Sequence, residues 1–127
     1  MTVTGLHHVS LSVADLDRSL AFYRDTLGLA VYREFGEGDQ RGVVFFLGGG
    51  FLEVSGRAEA PTPANLALWL QVRDVDATHD DLAAKGVDVM RPPVTEPWGL
   101  REMWVRDPDG LRLAVIEVPA DHPLRRR

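Results

Sequence analysis

The chain of 127 residues contains no cysteine. That absence excludes a disulfide framework, a thiol nucleophile and any zinc site built on thiolates. Nor is there an excess of basic charge: 19 acidic side chains stand against 14 basic ones, and the net charge of −5 disfavours nucleic acid and anionic lipid as partners. The short basic run Arg125-Arg126-Arg127 reads as a solvated end. No apolar run approaches the ~20 residues that cross a bilayer, and the first residues lack the basic-then-apolar order of a secretory signal. The expectation is a soluble cytoplasmic protein, one domain with a sizeable core.

What is present is a repeat. The stretch "HVSLSVADLDRSLAFYRDTLGL" from His8 is echoed by "ALWLQVRDVDATHDDLAAKGV" from Ala67. A shift of 59 sets Val13 to Asp17 on Val72 to Asp76, and a shift of 58 sets Gly28-Leu29 on Gly86-Val87. Later, "FLEVS" from Phe51 matches "RLAVI" from Arg112 at a shift of 61. His8 therefore corresponds to Ala67, and Glu53 to Ala114. If the two copies pair about a local two-fold axis, those four positions surround one site, and only its first half retains polar groups.

Each copy reads as β-α-β-β-β. Leu6 to Val13 alternates as a half-buried strand should, with Val9, Leu11 and Val13 on one face and His8, Ser10 and Ser12 on the other. Asp15 is a candidate N-cap, and Leu16, Leu20, Tyr23 and Leu27 recur at helical spacing until Gly28 ends the run. Strands are expected near 30–34, 41–47 and 51–55, then at 67–72, 87–90, 101–106 and 111–118, with a second helix over 74–85. Module one covers about 5–56, a proline-bearing linker 57–65, module two about 66–118, and a tail 119–127. The expected class is α+β, eight strands in a mixed sheet with two helices on one face.

Alternation also sorts the side chains that look away from the helices. On that open face fall Ser10, Ser12, Phe51, Glu53 and Ser55 in module one, and Ala67, Trp69, Gln71, Arg112 and Ala114 in module two. A regular four-residue turn at Asp107 to Gly110 would set Trp104 opposite Leu113, on the helix side and in the core. Alternation also turns His7 away from the open face. His79 takes the position of Leu20 and is expected to be partly covered, while His122 lies in the tail. Arg101 and Arg112 would flank the open face. Trp98, in "EPWGL", is a large aromatic on a loop, fit for a lid or a subunit contact.

The arrangement "HHVSLSVADLDRSLAFYRDTLGL" followed by "DPDGLRLAVIE" resembles the vicinal oxygen chelate superfamily, which includes glyoxalase I, bleomycin-resistance proteins, fosfomycin-resistance transferases, methylmalonyl-CoA epimerase and extradiol dioxygenases. The resemblance spans Leu6 to Val118. It implies paired βαβββ modules around a cupped eight-stranded sheet with helices on the convex face, commonly as a homodimer. It also implies, in enzymatic members, a divalent metal at the module interface, held at positions that here carry His8, Glu53, Ala67 and Ala114. A methyl group donates no lone pair, and two ligands hold an ion poorly.

Three functions follow as expectations. The first is a cofactor-free protein that binds a planar or aromatic small molecule, similar to the bleomycin-resistance type and thus to antibiotic resistance, using Ser10, Ser12, Phe51, Trp69, Gln71, Trp98 and Arg112. Loss of two ligand positions to alanine enlarges the room for such a guest. The second is a glyoxalase-like or dioxygenase-like enzyme in which His8 and Glu53 act as an acid/base pair, or hold a weakly bound divalent metal that substrate atoms complete. The third is a structural or regulatory dimer with an empty cavity.

Overall fold

The computed structural model describes residues 1–57 and 63–123. The chain divides into two compact units, Met1–Pro61 and Thr62–Arg127. Most of the sequence-expected linker and the basic run 125–127 lie outside the described residues. In the first unit β1 (His8–Val13) leads into α1 (Leu16–Leu20), which continues as wider turns over Ala21–Thr26 before β2 (Val31–Phe35), β3 (Gly42–Leu47) and β4 (Gly50–Arg57). The sheet order is β1-β4-β3-β2, with β1 parallel to β4 and the other pairs antiparallel.

The second unit repeats this order: β5 (Ala67–Gln71), α2 (Val75–Ala84), β6 (Asp88–Thr95), β7 (Arg101–Arg106) and β8 (Arg112–Glu117), arranged β5-β8-β7-β6. Both helices start on the aspartate that the repeat aligns. Asp15 accepts from the Arg18 amide at 3.1 Å, and Asp74 from the Ala77 amide at 2.9 Å. The first helix departs from regular α geometry after Leu20, because the Leu27 amide donates five residues back to the Phe22 carbonyl at 2.8 Å. Strand β6 is longer than the sequence predicts, running through Pro92 and Pro93. It tolerates them because it is an edge strand whose pairing with β7 is interrupted between Val89 and Val94.

The sheet faces that meet the helices form the cores. Val43, Phe45, Leu52 and Val54 are buried in the first unit, with Leu20 and Tyr23 from the helix segment. Met103, Val105, Leu113 and Val115 are buried in the second, with Val75 and Leu82 from α2. Each such side chain stabilises its unit by about 1.5–3 kcal/mol. Parallel pairing sets Ser10 beside Glu53 and Trp69 beside Ala114, the same rung in each unit, as the repeat requires.

One turn reverses an expectation. Arg106 pairs with Arg112, so residues 107–111 close the β7–β8 hairpin, one more than the four-residue turn assumed. The Asp107 amide donates to the Leu111 carbonyl, and the Asp107 carboxylate accepts from the amides of Asp109 and Leu111, all at 2.9 Å. That side chain organises the wider loop, Gly110 supplies the positive φ it needs, and Leu111 is buried beneath it. A slip of one residue exchanges the faces of a strand. Trp104 therefore lies opposite Ala114 instead of Leu113, on the open face and outside the core.

Candidate functional site

On the open face of module one, His8 lies level with Phe51, and Ser10 with Glu53. The Ser10 hydroxyl donates to Glu53 Oε2 at 2.9 Å, which fixes the carboxylate along the sheet. Ser12 pairs with Ser55 at the far end of this face and is exposed. His8 and Glu53, with Phe51, line a cavity of about 430 Å³. Its remaining wall comes from His7, Tyr32, Arg33 and Val44. Two of the lining rings, Tyr32 and Phe51, lie 5.0 Å apart between centroids, and Phe46 packs beside them at 5.2 Å from Tyr32 and 5.8 Å from Phe51.

His7 does not turn away as alternation predicts. Strand β1 begins only at His8, so His7 escapes the pleat; its ring lies 5.4 Å from Phe51, and its Nδ1 is 2.9 Å from that of His8. One of those nitrogens must carry the hydrogen and the other accept it. Tyr32, Arg33 and Val44 are wall residues that sequence reasoning missed, with Phe46 packed beside Tyr32. The signal was the register of the β3–β4 hairpin, where Val44 stands opposite Glu53 and Phe46 opposite Phe51.

On the open face of module two, Trp69 and Trp104 flank Ala114 from the two neighbouring strands. Their rings meet edge to face at 5.4 Å, Trp69 remains 52% exposed, and Ala114 is 0% exposed. The Arg112 guanidinium lies over the Trp104 ring, 5.5 Å from its centroid. Gln71 is exposed and pairs with Ile116. Trp98 is 57% exposed, yet its indole N–H donates at 2.6 Å to the carboxylate of Glu102, which is 1% exposed. The Trp98 carbonyl lies 3.3 Å from His122 Nε2, so this tail histidine helps to hold the loop.

Arg101 does not flank the open face. It sits with Met103 and Val105 on the helix side and makes two hydrogen bonds to Asp76 at the start of α2, at 2.8 and 2.9 Å. That contact holds the Asp76 carboxyl below its ordinary value and raises the guanidinium. Asp74, Asp76 and Glu117 bring carboxylate oxygens within 4.8 Å of one another there. Each is already used: Asp74 caps α2, Glu117 accepts from the Val75 amide at 2.9 Å, and Asp76 holds Arg101. His79 is partly covered and lies 3.2 Å from Asp80.

The family model of the Glyoxalase/Bleomycin resistance protein/Dioxygenase superfamily matches residues 5–115. The chain belongs to this superfamily. Among relatives in the superfamily, an uncharacterized Bacillus subtilis protein, YraH, is 31% identical over 82% of this chain and 91% of its own. A probable lactoylglutathione lyase of Vibrio cholerae is 28% identical over 91% of each. Among solved structures, TnmS3, an antibiotic binding protein from Streptomyces sp. CB03234, has a TM-score of 0.79 and 26% identity, covering 94% of this chain and 99% of that one.

The metal set of the superfamily's enzymatic members does not fit these residues. Of the four positions, Ala67 and Ala114 offer only methyl groups, and Ala114 is fully buried on the rung that it shares with the two indoles. In module one Glu53 already serves Ser10, and His8 is engaged with His7. Two donors leave most of an ion's coordination to solvent. Among the described residues, no helix is long and apolar enough to cross a membrane.

Proposed function

We propose that the protein binds a planar aromatic compound, in the manner of a drug-sequestering protein and without a resident metal. The observation that carries this reading is the Trp69–Trp104 pair at Ala114: where the resemblance calls for a metal ligand, the chain presents two indoles, one of them half exposed. Flat aromatic side chains stack on rings at low ordering cost. The Tyr32–Phe46–Phe51 cluster beside a cavity of about 430 Å³ supports it, since sites for small organic molecules commonly have about that size. Similarity to TnmS3, described as an antibiotic binding protein, supports it further. The homodimeric state and cytoplasmic location expected from the sequence belong to the same proposal.

Titration with uncharged planar aromatics, followed by tryptophan fluorescence and calorimetry, tests the reading. All three tryptophans lie in module two, so quenching reports on the surroundings of those three rings. Saturable quenching that weakens in Trp69→Ala is the expected result. Absence of binding by any member of a broad panel of fused-ring compounds would refute it.

A second reading has one specific observation in its favour. His8 and Glu53 line the same cavity, as an acid/base pair would, and the chain is similar to a probable lactoylglutathione lyase. Formation of lactoylglutathione, assayed with and without added divalent metal, separates an enzyme from a binding protein. Turnover abolished by Glu53→Gln would favour the enzyme.

A further inference from the structure

Module two keeps most of its cations neutralised. Lys85 pairs with Asp81 at 3.0 Å, Arg91 with Glu96 at 2.6 Å, Arg101 with Asp76 at 2.8 Å and Arg106 with Asp88 at 3.4 Å. Arg73 is exposed, where water solvates it. Arg112 is different. It is partly buried, no carboxylate among the described residues lies within ion-pair reach, and its Nε is buried without any hydrogen-bond partner. Its one defined contact is the face of Trp104. A cation taken partly out of water with one N–H buried and lacking an acceptor is costly, and the aromatic face offsets only part of that cost.

The two carboxylates on this face do not serve it: Asp88, on the rung of Arg106 and Arg112, is paired with Arg106. Glu102 is occupied by the Trp98 indole, and it lies four residues up β7 from the rung that Arg106 shares with Arg112, about 13 Å at strand spacing. We infer that the open face of module two is a seat for an aromatic anion, its ring against Trp69 and Trp104 and its carboxylate, sulfonate or phenolate oxygen on Arg112. The inference rests on the aromatic-binding reading above and adds the charge of the ligand. The guanidinium lies over the Trp104 ring, and its planar fork of N–H donors matches the two oxygens of a carboxylate. The ligand's ring would extend from Trp104 toward Trp69, whose exposed indole is the next aromatic surface on the same face.

The experiment uses three probes of one shape at pH 7: 2-naphthoate, uncharged 2-naphthol and cationic 2-naphthylmethylamine, each titrated against tryptophan fluorescence in the full chain. The expected order is naphthoate tighter than naphthol by about tenfold, with the amine weakest, as one charge-assisted pair warrants. Arg112→Met keeps the apolar stem and should abolish the preference, bringing naphthoate down to the level that naphthol shows in the same variant. Arg112→Lys should restore part of the preference; if neither variant folds, raising salt from 50 to 500 mM should erase the naphthoate advantage in the wild type. Equal binding of all three probes, or naphthoate binding unaltered in Arg112→Met, overturns the inference and leaves aromatic binding standing. Failure of all three to bind overturns both.

Discussion

The bond between Trp98 and Glu102 is the contact whose energy the structure defines best. Glu102 is 1% exposed, and its carboxylate receives the Trp98 N–H at 2.6 Å, among the shorter hydrogen bonds in the protein. Trp98→Phe removes that donor and keeps a ring in the loop. A hydrogen bond to a charged group contributes about 1.5–3 kcal/mol, and the buried acceptor left behind has no water to replace it. The expected loss is about 2 kcal/mol, close to 30-fold in the folding equilibrium. Urea denaturation followed by circular dichroism measures it without relying on the deleted fluorophore. The decisive form is a double-mutant cycle with Glu102→Leu, in which the carboxylate is gone and Trp98→Phe should cost no more than about 0.5 kcal/mol. If Trp98→Phe costs the same in both backgrounds, the bond does not hold the loop, and the burial of Glu102 has another cause.

Four further outcomes are expected. Asp107→Ala removes both amide partners of the β7–β8 loop and should cost about 1–3 kcal/mol in thermal or urea unfolding, whereas an effect below about 0.5 kcal/mol would mean the five-residue loop forms without it. Trp104→Ala should weaken binding of planar aromatics as much as Trp69→Ala does, because both rings stand on one face; a variant that loses stability while binding normally would return Trp104 to the core. Ala114→Glu should destabilise by about 2 kcal/mol or more, since a carboxylate would replace a fully buried methyl group beside two indoles, and a neutral result in urea unfolding would show that the larger side chain escapes to solvent. The Asp76 carboxyl is held below its ordinary value of 3.8 by Arg101, so its contribution is present above that pH and is lost as pH falls through the lowered value; Asp76→Asn should flatten the acid limb of stability below that ordinary value.

The fold was legible because the repeat is written on its buried side. Leu11 and Leu70, Leu52 and Leu113, Val54 and Val115 each align at the repeat shifts, and each pair faces its helix. Asp15 and Asp74 cap the two helices in the same way. The open face was legible only where a strand's own alternation reached it, as at Ser10, Glu53, Trp69 and Arg112. It was not legible across hairpins, because register there depends on how many residues a turn uses. Asp107 adds one residue and moves Trp104 to the other face, while the register of Val44 and Phe46 against β4 brings the Tyr32 cluster into the cavity wall. His7 was misread for a related reason: alternation has force only inside a paired strand, and the pairing starts one residue later.

The two open faces differ in a direction that packing alone does not dictate. Positions under the helices stay aliphatic in both units because a change of volume there is felt across the core. On the open side, His8, Ser10, Phe51 and Glu53 of the first unit become Ala67, Trp69, Arg112 and Ala114 in the second, and Val44 becomes Trp104 at the same rung. Acid and imidazole are exchanged for indole and guanidinium. A residual copy under no demand would drift toward small polar side chains of low cost on a sheet surface. Instead two tryptophans meet at the position that matches Glu53, and an arginine without a counter-charge is laid on one of them. Both features cost solvation in the free protein, and both are relieved by one kind of partner, a flat ring carrying negative charge.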